Sequence, residues 1–111
     1  MKRIEAIIQP HKLTKVVTAM HALPHFPGFT VFDAHGQGHG RGNGGVFAYD
    51  SNDGLLYHRR CVVVVICADD EAPSIIDTIK TAAHTGQIGD GVISVVNVET
   101  LVRIGKSEVR A

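Results

Sequence analysis

An unbroken β-branched run, Cys61 to Ala68 within "RRCVVVVICA", limits what this chain can fold into. Eight apolar residues are too few to cross a membrane, which takes about 18 or more. The valine-rich composition argues for a strand rather than a helix segment. A strand with no polar alternation is covered on both faces, or covered on one face and packed against another subunit on the other.

The flanking segments supply the rest of a sandwich. "RIEAIIQ", residues 3–9, reads as a short strand ended by Pro10. Leu13, Val16, Val17, Met20 and Leu23 then trace one helical stripe, closed by Pro24 and Pro27. "GFTVFDAH", residues 28–35, is a second strand with partial alternation. After the long run, Asp69 and Asp70 offer N-cap chemistry and Pro73 suits a first turn. Ile75, Ile76, Ile79, Ala82 and Ala83 form a second stripe ending at Thr85-Gly86, and "GVISVVNVETLVRI" closes as one or two strands. The order is β-α-β, long connection, β-α-β. It predicts an α+β ferredoxin-like sandwich occupying residues 1–111 as one domain, with an insertion at 36–58.

Composition removes several functions. Lys+Arg and Asp+Glu both number 11, so no net field points to nucleic acid or to an anionic membrane. The N-terminal apolar stretch breaks at Gln9-Pro10, too early for a signal peptide, so a cytoplasmic location without membrane insertion is expected. Cys61 and Cys67, six residues apart on one strand, stand roughly 20 Å from each other and cannot bridge. They are expected as buried thiols. No nucleophile elbow, Ser/His/Asp order or paired carboxylates stand out, so no enzyme is expected.

The insertion opens with "HGQGHGRGNGG", residues 35–45. "GRGNGG" satisfies G-x-G-x-x-G, but "VFAYDSNDG" follows, without the helical period that a dinucleotide fingerprint requires. No P-loop motif is present. His35 and His39 leave two readings open. They are solvent-facing loop residues, or they contact a transition metal completed by His58 or a neighbouring subunit. Arg59 and Arg60, ahead of the long strand, read as gatekeepers against aggregation.

"AIIQPHKLTKVVTAM" near the start, and "TAAHTGQIGDGVISVVNVETLVRIGKSE" near the end, resemble the P-II nitrogen-regulatory signalling proteins over nearly the whole chain. The T-G-x-I-G-D-G motif carries most weight. The resemblance implies a homotrimer that binds adenine nucleotide between subunits and controls a target protein, a membrane transporter or an enzyme, through a mobile T-loop at the insertion. Carried over by position, Thr30, Gly36, Gln37 and Gly38 lie on one side of the cleft. Gly89, Asp90 and Gly91 supply backbone and side-chain contacts, Arg103 a phosphate contact, and Arg60 marks the loop base near the effector.

The departures from the family pattern shape the expected ligand. Gln87, Val92 and Gly105 stand where the family has cations, which should weaken ATP more than ADP or AMP. Gly40 replaces the glutamine that helps place magnesium and 2-oxoglutarate, which argues against sensing of that metabolite; a divalent metal is left open. Tyr49 and Tyr57 lack the family's modification context, so no uridylylation is carried over.

Overall fold

The computed structural model describes residues 1–37 and 58–105. Its elements run β1 (Lys2–Ile8), α1 (Leu13–His21), β2 (Thr30–Gly36), β3 (His58–Cys67), α2 (Ala72–Ala83) and β4 (Gly91–Asn97). The four strands form one antiparallel sheet in the order β2-β3-β1-β4. The two β-α-β halves therefore interleave their strands, which is the α+β ferredoxin-like arrangement. Most of the insertion, including Gly38, His39, Gly40, Tyr49 and Tyr57, lies outside the described residues.

Register resolves what the apolar run left open. Along β3, Cys61, Val63, Val65 and Cys67 turn toward the helices and are buried with Ile4, Ala6 and Ile8 of β1. From the helices, Val16, Met20, Ile75 and Ile79 close the core, and Ile4, Met20 and Ile79 are wholly buried. Each such side chain contributes about 1.5–3 kcal/mol by leaving water. Both cysteines are free and buried, and burial is the main reason their thiols titrate above the ordinary range.

The opposite sheet face carries no helix among the described residues. Cross-strand partners set three rows on it: Phe32–Val62–Ile7–Val92, then Thr30–Val64–Glu5–Ser94, then Ile66–Arg3–Val96. Phe32, Val92 and Val96 are 48%, 63% and 53% exposed. Inside this apolar field Arg3 pairs with Glu5 at 3.0 Å. Among the described residues, helices cover the apolar run on one face and not on both.

Helix ends differ from expectation in instructive ways. The first helix is preceded by a 3-10 turn at Pro10–Lys12 and stops at His21; Leu23 lies beyond its end, though it packs on the core. Asp69 and Asp70 do not cap α2. They sit in a 3-10 turn, Asp69–Glu71, and make no side-chain cap bond. Instead Glu71 Oε1 accepts from the Ala68 N–H at 3.2 Å, while Asp69 pairs with the Met1 ammonium. His25 Nδ1 meets the other Glu71 oxygen, tying the α1–β2 connection to the start of α2. The second helix ends at Ala83, short of Thr85-Gly86, because His84 is already extended at ψ 131. No described helix is long and apolar enough to cross a membrane.

Candidate functional site

The T-G-Q-I-G-D-G segment, Thr85 to Gly91, forms a turn between α2 and β4 that is tied by a single carboxylate. Asp90 Oδ2 accepts from the Thr85 N–H at 2.9 Å and the Gly86 N–H at 3.3 Å. Its Oδ1 accepts from the Thr85 hydroxyl, whose oxygen also accepts from the Gln87 N–H at 3.1 Å. His84 Nδ1 lies 3.3 Å from Oδ2. The Thr85 hydrogen bonds are the main cause holding the Asp90 carboxyl below the usual carboxylate range. In this chain Asp90 therefore shapes the turn from within.

Two glycines are required here for separate reasons. Gly91 has φ +113, and a Cβ there would lie 1.8 Å from the Ile7 carbonyl oxygen. The start of β4 presses directly on β1 at that point. Gly89 has φ +94, but its imagined Cβ would meet only side-chain ends, Gln9 Nε2 at 3.4 Å and Arg60 Nη2 at 3.6 Å. Gly89 thus marks the meeting point of the turn, the end of β1 and the start of β3.

That meeting point is hydrogen-bonded. Gln9 Nε2 donates to the Gly89 carbonyl at 2.6 Å. Arg60 Nη1 donates to Gln9 Oε1 at 3.3 Å and to the Arg59 carbonyl at 3.0 Å. Gly36, the last residue of β2, pairs with His58 at the same end of the sheet, and half-buried Gln37 follows it. Beside the turn, a cavity of about 400 Å³ is lined by Ile8, Ile76, Ile93, Lys80 and His84.

The other expected residues lie elsewhere. Thr30 is exposed in the middle row of the open sheet face, opposite Val64. Arg103 lines a cavity of about 300 Å³ with Met1, Ile66, Cys67 and Ala68. Those residues belong to the opposite end of the sheet, since Ile8 pairs with Gly91 and Lys2 with Asn97. Six strand residues separate the two ends, roughly 20 Å. Within one chain, then, Arg103 does not meet the Gly89–Gly91 turn. His35 is exposed on β2 opposite Arg59; no three His, Cys, Asp or Glu side chains converge as a metal would need among the described residues.

Gln9 is the residue that sequence reasoning passed over. It sits at a strand end just before Pro10, and the only signal was its place inside "AIIQP", where it reads as strand termination.

Comparison with known proteins agrees with this architecture. The family model described as "Nitrogen regulatory protein P-II" matches residues 1–108. A protein of that name from Rhizobium meliloti (strain 1021) is 40% identical over 109 residues, covering 97% of this chain and 95% of the relative. One from Azospirillum brasilense is 39% identical with the same coverage, and one from Pyropia yezoensis is 35% identical, covering 94% and 91%. With its fold, its G-D-G turn and these matches taken together, the chain belongs to the P-II family of nitrogen regulatory signalling proteins.

Proposed function

We propose that this chain is a homotrimeric, non-catalytic regulator working in the cytoplasm. It binds adenine nucleotide between its subunits and reports occupancy to a target protein, a transporter or an enzyme, through the glycine-rich insertion. One observation carries the reading: Arg103 and the Gly89–Gly91 turn stand at opposite ends of one chain's sheet. A phosphate held by both needs two chains, and the open apolar sheet face gives those chains a surface to meet on.

The turn suits a phosphate. Glycines at positive φ let the main chain come close to an anion, and successive backbone N–H groups attract it. The neighbouring cavity, lined by isoleucines, suits the flat apolar part of a base. Gln87, Val92 and Gly105 bring no positive charge to a distal phosphate, so ADP or AMP is preferred over ATP.

Calorimetric titration of ATP, ADP and AMP tests the ligand. Arg103→Ala should weaken ADP about 10- to 150-fold, the loss of one charge-assisted bond. Subunit mixing tests the shared cleft. Arg103→Ala chains and Gly89→Val chains each bind poorly alone, but assemblies formed from both contain some clefts with neither change and regain ADP binding. No recovery on mixing would put both groups in one chain and overturn the proposal.

A further inference from the structure

The contacts around Gln9 form a continuous path from the ligand turn to the base of the insertion. Residue 9 lies 80 positions from Gly89 and 51 from Arg60, yet its amide touches both. The donor side, Nε2, holds the Gly89 carbonyl at 2.6 Å. The acceptor side, Oε1, receives the Arg60 guanidinium at 3.3 Å. Arg60 is anchored in turn to the Arg59 carbonyl, two residues into β3, where the insertion rejoins the sheet.

We infer that Gln9 is a positioning residue that couples the Gly89 turn to the start of β3, and so to the insertion. The chemistry selects an amide for this role. A carboxylate could receive Arg60 but not donate to Gly89; an ammonium could donate to Gly89 but not receive Arg60. The two bonds are unequal, and the longer one yields first. An anionic ligand group beside Gly89 competes with Gln9 Oε1 for the guanidinium, and an acceptor with a full negative charge attracts it more strongly than a neutral amide oxygen does. Arg60 then turns toward the anion, Gln9 is released on one side, and the strand start that carries Arg59 shifts with it. The path itself stands without any ligand; only the identity of the competing anion rests on the nucleotide reading above.

The test is nuclear magnetic resonance on the full chain, without ligand. Arg60→Met should move the Gly89 carbonyl resonance in the chain that has Gln9. The same change should move that resonance much less when Gln9 is replaced by Lys or by Glu, because each half-variant keeps one bond and cannot relay the other, which leaves only the direct effect of Arg60 Nη2 beside Gly89. A merely local packing role would leave the full response in each. If Arg60→Met fails to move Gly89 in the Gln9 chain, or moves it as far in either half-variant, the coupling through Gln9 is refuted. An ADP titration of the same samples reads the nucleotide proposal separately. Its failure would remove that ligand and leave the Gly89 result standing.

Discussion

Replacing Gly91 with alanine should damage the fold far more than the same change two residues earlier. At φ +113 a side chain is strained by about 1–3 kcal/mol before any neighbour is considered. Its Cβ would also lie 1.8 Å from the Ile7 oxygen and 2.9 Å from the Ile7 carbonyl carbon. Backbone cannot swing aside as a side chain can, so β4 must lift from β1 at this end. The pairs Ile8–Gly91 and Ile7–Val92 are the ones that suffer, at about 0.5–1.5 kcal/mol net for each hydrogen bond lost. The total comes to about 2–6 kcal/mol, against a typical stability of about 5–15 kcal/mol for a domain. Gly89→Ala meets only the ends of Gln9 and Arg60 and should cost about 1–3 kcal/mol, the conformational strain alone. Gly36→Ala meets nothing within 4 Å and should stay within about 1 kcal/mol of the parent. Urea unfolding followed by circular dichroism, at one fixed protomer concentration, ranks the three. A Gly91→Ala protein as stable as Gly89→Ala would refute the collision argument.

Further outcomes are expected. Light scattering at micromolar concentration should return three times the chain mass, and Phe32→Arg, on the open face, should lower it; a monomeric parent would remove the shared cleft. Acid should loosen the turn from Thr85 to Gly91. The Asp90 carboxyl titrates below its ordinary range when folded, so its contribution is complete above that range and disappears as pH falls through the folded value. Amide exchange at Thr85 and Gly86 should therefore quicken only below the normal carboxylate range of about 4, and Asp90→Asn should remove that dependence. Burial raises both thiols, so Cys61 and Cys67 should react with a disulfide reagent only at the rate of unfolding. Rapid labelling of the native protein would contradict their placement in the core.

Much of the architecture was legible because it depends on neighbours in sequence. The stripes of α1 and α2, Pro10 ending the first strand and Pro73 in the first turn of α2 all act over one or two turns. The misreadings share a cause. Every residue of Val62–Ile66 is apolar, so nothing local tells which side of β3 meets the helices; pairing with β1 decides it. Asp69 looked like a cap, but its partner is the chain's first residue, 68 positions away. Asp90 lies between two glycines, and its bonds back to Thr85 are a role the family resemblance did not offer. The spacing of five from Thr85 was already present in the sequence, and it is the mark of a side chain folding back on its own turn. Gln9 was invisible for the opposite reason: both of its partners come from distant elements.

The middle row of the open sheet face has a consequence for recognition. A plain apolar face would accept any apolar surface, in any orientation and at any offset. Here Glu5, paired with Arg3 and flanked along its row by Val64 and Ser94, with Thr30 beyond Val64, sits among the apolar groups. A partner that slides by one strand or tilts by a few residues would bring grease onto a carboxylate and strip its water, at a cost in the kcal/mol range. The same charge pair that makes the face less sticky therefore works as a key for any partner laid on it: an alignment that left Glu5 its company would cost less than one that did not.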